Sequence, residues 1–258
     1  MVDGLMKVLV LAGGMGTRLR EIVKDRPKPM ALIGGRPFLE YLILQLKGQG
    51  FGEIVLCIGY LGEQIRSYFG DGDKWGVHIS YSYEEQLLGT GGAIKLAEKM
   101  VQEENFLVMN GDSFLDVDMH KLINHHLMKQ AIATVALVEV ENANRYGAVE
   151  INEKGEIKKF VEKGDISASK LINGGVYVLN RKIFDYIPLG TVSLEKEIFP
   201  KLIGKGFFGV PIKGFFIDIG VPETYKMLQE NPRTLLNALF QSNSKEREDG
   251  AAGFLPTD

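Results

Sequence analysis

Glycines at positions 13, 14 and 16 follow the apolar run VLVLA directly, and Thr17, Arg18 and Lys28 come soon after. A strand that runs into Gly13-Gly14-Met15-Gly16 turns backbone N–H groups toward one point near a helix start, an arrangement that holds anions. Arg18 and Lys28 add side-chain cations, and Pro27 and Pro29 restrict the backbone on both sides of Lys28 and aim it. A solvated surface turn would use the same residue types, and Lys28 alone would be read that way; beside the glycine loop it reads as a phosphate ligand. The spacing is neither G-x-x-x-x-G-K-[ST] nor G-x-G-x-x-G, which disfavours both a Walker-type loop and a dinucleotide site.

Two carboxylates stand where α/β proteins build their sites. Asp112 ends the apolar run in FLVMNGDSF and Asp218 ends the one in FFIDIG, and ligands of such folds bind beyond the carboxyl ends of strands. A divalent metal would want such oxygen donors. A single Asp after a strand is more often a turn or cap residue, and Asp116 and Asp118 are read so. In EEQLLGTGGAI, Glu84 and Glu85 precede a glycine turn and a helix start at Gly91-Gly92. Asn173-Gly174-Gly175 interrupts a strand-like run, where glycine marks a bulge or a close backbone approach. His120, His125 and His126 lie in a helical stretch without catalytic spacing and read as surface or core residues.

These residues need elements to place them. KVLVLAG, EIVLCIG, VHISYSY and FLVMNGD alternate with the helical FLEYLILQLKGQG, LGEQIRSYFG, GGAIKLAEKM and MHKLINHHL. This βαβα order predicts a Rossmann-like α/β fold with a mixed, mostly parallel sheet flanked by helices. Beyond residue 130, AIATVALVEV, YGAVEIN, EIKKFVEK and LINGGVYVLN are strand-like runs with hairpin-type gaps, followed by helical SLEKEIFPKLI and the strand GFFIDIG. That half reads as a small β-rich part extending the first sheet. The expected organisation is one domain over 1–230, divided near 130, and a C-terminal tail over 231–258 that holds a short helix and is partly disordered.

The 258 residues, 45% hydrophobic and 24% charged, suit an ordinary globular core. A net charge of −3 gives no basic field for nucleic acid. The single cysteine, Cys57, excludes an internal disulfide framework and reads as a small core residue. The apolar runs are too short for a membrane span, so a cytoplasmic enzyme is expected. A homo-oligomer stays open.

LAGGMGTRL…RPKPM resembles the activating motif of the sugar-1-phosphate nucleotidyltransferases, and the resemblance continues in order through EEQLLGTGGAI, VMNGDSF, FVEK, NGGVYV and FIDIGVPETY, roughly residues 5 to 228. Within that family NRYGAV, LINGGVYVL and FFIDIGVPETY are most similar to D-glycero-D-manno-heptose 1-phosphate guanylyltransferases. The resemblance implies a GT-A-like fold and transfer of a nucleotidyl group from a nucleoside triphosphate, GTP in this subgroup, to a sugar 1-phosphate, with pyrophosphate released. Mannose 1-phosphate guanylyltransferase, or a uridylyl- or cytidylyltransferase, is the alternative; a non-catalytic relative would lack one of Arg18, Lys28, Asp112 or Asp218, and all four are present.

It further implies roles. Arg18, Lys28, Asp112 and Asp218 would be catalytic, the two aspartates holding Mg²⁺. Leu11, Ala12, Gly13, Gly14, Gly16, Thr17, Arg18, Lys28, Glu84, Gly89, Thr90, Asn110 and Gly111 would bind the nucleotide. Glu84, with Glu85 as rival, would read the base: a carboxylate only accepts hydrogen bonds, which matches the adjacent N1–H and 2-amino donors of guanine, whereas uracil and thymine pair better with an amide. Gly147, Glu162, Lys163, Asn173 and Gly174 would take the sugar phosphate.

Overall fold

A computed structural model describes residues 6–16, 19, 22–141, 148–160 and 169–249, with side chains as far as 243. In chain order the elements are β1 (Val8–Leu11), the short pair β2 (Leu32–Ile33) and β3 (Arg36–Pro37), α1 (Phe38–Gly48), β4 (Glu53–Ile58), α2 (Gly62–Phe69), β5 (His78–Tyr83), α3 (Gly89–Leu96), β6 (Asn105–Asn110), β7 (Ser113–Leu115) and α4 (Met119–Met128). Then follow β8 (Ala133–Glu139), β9 (Val149–Ile151), β10 (Ile157–Phe160), β11 (Leu171–Asn180), α5 (Phe199–Leu202), β12 (Phe207–Ile212), β13 (Phe216–Asp218), α6 (Pro222–Glu230) and α7 (Arg233–Asp249).

The main sheet runs β12-β8-β11-β6-β1-β4-β5. β1 pairs parallel with β4 and β6, β4 with β5, and β12 with β8; β11 is antiparallel to both its neighbours. This is the mixed, mostly parallel sheet that the βαβα order predicts, and β8 and β11 extend it as expected, whereas β9 and β10, also read as extending it, form a separate two-stranded sheet. Both faces are covered, so successive side chains of a strand enter different cores. Val8 and Val10 join Leu42 and Leu46 of α1 on one side, while Leu9 joins Ile94 of α3 and Val108 on the other. Cys57 is buried in β4, and burial pushes its thiol up to about 12, which fits a core residue rather than a nucleophile.

Local structure departs from the sequence reading in several places. The predicted helix over SLEKEIFPKLI is a single wide turn, Leu194–Ile198, followed by the one-turn α5. The edge strand β12, FFGVPI, is passed over by that reading because it contains Gly209 and Pro211; proline is tolerated there because the strand lies at the sheet edge. The predicted strand GFFIDIG forms outside the main sheet as β13, antiparallel to β7 with Asp218 opposite Ser113.

In the C-terminal stretch α7 is a 17-residue helix. It seals Leu235 and Leu239 into the core, and its Ser242 hydroxyl meets the side-chain amides of Gln45 on α1 and of Gln49 just past its end, at 3.0 and 3.1 Å. Asp118 caps α4 by accepting from the Lys121 N–H at 2.9 Å, the cap role read from sequence, while the Asp116 N–H pairs with Phe215 O.

Candidate active site

The carboxyl ends of β1 and β6 open onto a pocket of about 340 Å³. Its floor is Leu11 and Asn110; its walls are the loop Ala12–Gly16, the turn at Lys28 and Pro29, and the stretch from Glu84 to Ala93. Every described residue assigned above to the nucleotide, Gly111 apart, lines this pocket. Gly111 instead lets β6 reach β1: its N–H bonds to Leu11 O at 2.9 Å, and a Cβ would come within 2.7 Å of that oxygen. Thr17, Arg18, Gly147, Glu162 and Lys163 lie outside the described residues.

The glycine loop is held from behind. Ala12 N–H donates to Cys57 O, and Gly13 O accepts from Tyr60 N–H. Among the described residues none takes a hydrogen bond from the N–H of Gly13, Gly14, Met15 or Gly16, so these donors are available to a ligand. Gly16 has φ +58 and packs so tightly on Lys28 that a Cβ would lie 2.7 Å from the lysine Cβ. The glycine thus serves two ends, a left-handed turn and a seat for the lysine.

Lys28 starts a short 3₁₀ turn, Lys28–Met30, with Pro27 before it and Pro29 inside it. Its ammonium lies 2.6 Å from Asp112 Oδ2 and 3.4 Å from Asp218 Oδ1. The two aspartates sit together because β7 and β13 pair beside them, with Ile219 N–H donating to Asp112 O at 3.0 Å. Gly220 N–H donates to Asp218 Oδ1 at 2.6 Å, and a Cβ on Gly220 would run into both Lys28 Nζ and Asp218 Oδ1. Gly220 is a site residue that the sequence reading missed; the signal was present as the glycine two positions after the aspartate in FIDIG.

Glu84 and Glu85 part company. Glu85 is exposed, whereas Glu84 is 8% exposed and lines the pocket. Glu84 Oε2 accepts from Leu88 N–H at 3.0 Å, and the rest of the carboxylate fills the space that Gly13 and Gly59 leave by having no side chains. Burial pushes its carboxyl above the ordinary range, against the lowering effect of the Leu88 N–H.

The glycines of GTGG turn out to serve another part of the chain. Gly91 and Gly92 N–H groups at the start of α3 donate to Val192 O at 2.9 and 3.2 Å, and Cβ atoms on Gly89, Gly91 or Gly92 would press on residues 190–194. Thr90 Oγ1 donates to Glu195 Oε2 at 2.7 Å and accepts from Leu194 N–H at 2.8 Å. The stretch 190–195 is thus a buttress under the pocket wall, and nothing in its composition signals that.

On strand β11, Gly175 has φ +76 and the register against β8 shifts between Asn173 and Tyr177, the bulge that the glycines predict. Asn173 does not line the pocket; it donates to the Tyr177 hydroxyl at 2.8 Å and accepts from Gly175 N–H at 2.9 Å. Tyr177 is fully buried, and desolvation raises its hydroxyl well above the ordinary range.

An α/β sheet that gathers open backbone amides, a lysine and two strand-end carboxylates at one pocket is laid out to handle phosphates. The chain belongs to the nucleotidyl transferase family, whose model matches residues 7–233. It is 40% identical over 227 residues to a D-glycero-alpha-D-manno-heptose 1-phosphate guanylyltransferase of Aneurinibacillus thermoaerophilus, covering 87% of this chain and 97% of that one. The enzyme of the same name from Campylobacter jejuni is 40% identical over 225 residues, with 85% and 97% covered. Crystal structures of HddC from Yersinia pseudotuberculosis, one of them complexed with GMP-PN, superpose with a TM-score of 0.78 at 36% identity, over 88% of this chain and 99% of that one. Among the described residues no helix is long and apolar enough to cross a membrane.

Proposed function

We propose that this chain is a sugar-1-phosphate guanylyltransferase that joins GTP and D-glycero-α-D-manno-heptose 1-phosphate, releasing pyrophosphate. The observation that carries the reading is the contact of Lys28 with both Asp112 and Asp218 at the rim of the glycine-loop pocket. The substrate pair is supported by the two heptose 1-phosphate guanylyltransferases at 40% identity and by the GMP-PN complex of HddC.

The reaction forms a bond between a sugar-phosphate oxygen and the α-phosphorus and breaks the bond from that phosphorus to the bridging oxygen of the leaving pyrophosphate. The nucleophile is already anionic at neutral pH, since the second pKa of a phosphate monoester is about 6. No activated hydroxyl or thiol is needed, and the barrier lies in bringing anions together in line. Catalysis is therefore positioning and charge neutralisation. The amides of Gly13–Gly16 and the cations of Arg18 and Lys28 serve the triphosphate. Lys163 serves the sugar phosphate, Glu162 and Asn173 the sugar hydroxyls, and Gly147 and Gly174 shape the wall on that side.

Asp112 and Asp218 fit a divalent cation: they are paired hard-oxygen donors that already share one positive charge, that of Lys28. Among the described residues no cluster of three or more metal-binding side chains occurs, which suits an ion such as Mg²⁺ shared with substrate phosphates rather than caged by protein. Such an ion would supply charge neutralisation for the substrate phosphates. Glu84 reads the base, with the lone pairs not engaged by Leu88 free for the two guanine donors.

Pyrophosphate release, measured for GTP, ATP, UTP and CTP against a panel of sugar 1-phosphates that includes the heptose and mannose compounds, tests the proposal. The highest kcat/KM is expected for GTP with the heptose. The two sugars differ by one hydroxymethylene, a difference worth only about 10–200-fold, so some mannose turnover should remain. A higher value with mannose would replace the sugar, and a higher value with UTP or CTP would overturn the role of Glu84.

A further inference from the structure

Glu195 lies in the wide turn Leu194–Ile198, on neither of the elements that carry the pocket's known chemistry. Its two carboxylate oxygens nonetheless reach the two halves of the site. Oε2 accepts from Thr90 Oγ1 at 2.7 Å and from Ser193 Oγ at 3.2 Å. Oε1 faces the Tyr177 hydroxyl at 3.4 Å. Thr90 lines the nucleotide pocket. Tyr177 accepts from Asn173 Nδ2 at 2.8 Å.

Each link leaves little freedom. The Thr90 hydroxyl has one proton, which goes to Glu195, and one of its lone pairs takes Leu194 N–H at 2.8 Å. The Tyr177 hydroxyl likewise has one proton to give. With Asn173 donating to its oxygen, that proton is left for an acceptor, and Glu195 is the carboxylate that faces it. Asn173 in turn accepts Gly175 N–H at 2.9 Å, which fixes the bulge of β11. At 3.4 Å the Tyr177 contact is longer than an ordinary O–H···O bond, so it is the slack member of the chain.

We infer that Glu195 is a positioning residue that couples the two substrate subsites: through one carboxylate it holds Thr90 on the nucleotide side and, through Tyr177, Asn173 on the sugar-phosphate side. It does not touch the reacting atoms. The inference rests on the nucleotidyl-transfer reading for its kinetic consequence but not for its structural one.

Glu195→Gln and Tyr177→Phe are the variants. In Glu195→Gln the amide can keep only one of the two acceptor roles. Loss of one charged-acceptor bond is worth about tenfold, so kcat/KM should fall roughly 10-fold with both KM values raised. Glu195→Asp, too short to reach both partners, should not restore it. Tyr177→Phe should raise the KM for the sugar phosphate more than that for GTP, and the double variant should lose less than the product of the single losses. Amide hydrogen exchange gives a readout independent of turnover: in Glu195→Gln, exchange at Leu194 and at the distant Gly175 should quicken together. Faster exchange at Leu194 with Gly175 unchanged, or multiplicative kinetic losses in the double variant, would overturn the coupling. A wild-type protein that released no pyrophosphate would sink the proposed reaction and leave the exchange result to decide the coupling.

Discussion

Lys28 Nζ stands 2.6 Å from Asp112 Oδ2, with Asp218 Oδ1 on its other side at 3.4 Å. The ammonium therefore sits against the two carboxylates proposed to hold a divalent ion, and the lysine must move when those oxygens take another cation. Lys28→Met removes the competing charge. It is expected to bind Mn²⁺, read by its paramagnetic signal without nucleotide, more tightly than the wild type, while kcat falls at least about 100-fold. Weaker Mn²⁺ binding in Lys28→Met would count against the shared position.

Asp112→Asn keeps the shape and removes one anion. A loss of at least about 100-fold in kcat is expected, the scale on which a single preorganised electrostatic group acts. Steady-state pyrophosphate release at saturating substrates and ordinary Mg²⁺ checks it; near-normal turnover would remove Asp112 from the assignment.

Gly220→Ala tests the packing rather than the charge. The new methyl would meet Lys28 Nζ and Asp218 Oδ1, and a displacement of this kind at a reacting centre can cost about 100-fold. Activity should drop by about that much with little change in Tm, since Gly220 needs no positive φ. Equal losses of activity and stability would show that the glycine serves the fold instead.

Glu84→Gln separates stability from function. Burial raises the Glu84 carboxyl above the ordinary range, so the ionised form is disfavoured in the folded protein. Its cost is present above the raised folded pKa and disappears as pH falls below the ordinary glutamate value of about 4.3. The variant should therefore melt higher than wild type at pH 7, with the gain fading toward pH 4. A mismatched buried donor costs about 1–3 kcal/mol, so preference for GTP over UTP should fall by roughly 5- to 150-fold. Melting curves at the two pH values and competitive turnover of the two triphosphates are the measurements.

His126 gives a second pH signature, far from the site. It is 1% exposed, with Nδ1 facing the Thr134 hydroxyl at 3.0 Å and Nε2 facing Asn105 Oδ1 at 3.1 Å, and burial, with His125 adding to it, lowers its pKa to about 4. A group whose folded pKa is depressed stabilises above its unfolded value of about 6.5 and loses that contribution as pH falls toward the folded one. From pH 7 to 4.5 this amounts to roughly 2–3 kcal/mol. His126→Gln should show a loss of urea stability over that range smaller by about this amount, while being less stable at pH 7. An unchanged pH slope would contradict the assignment.

Much of this protein is legible in its sequence because it follows from short-range chemistry. Short continuous apolar runs alternating with helical stretches point to the α/β layering. Gly13, Gly14 and Gly16 after β1 mark a turn whose amides can face a ligand, and the prolines around Lys28 restrict the backbone that carries that lysine. Asp112 and Asp218 are identifiable as strand-end carboxylates. What tertiary structure alone decided is which of these groups meet. The pairing of β7 with β13, two three-residue strands outside the main sheet, brings Asp218 to Asp112 and Lys28. That Glu84 rather than Glu85 lines the pocket follows from which side of β5's end faces it, a matter of one residue in register. The glycines of GTGG look like a ligand loop, yet the surface they approach is the buttress at 190–194, whose residues carry no sequence signal. Non-local pairing of this kind depends on how distant segments close on one another, and local residue types do not encode it.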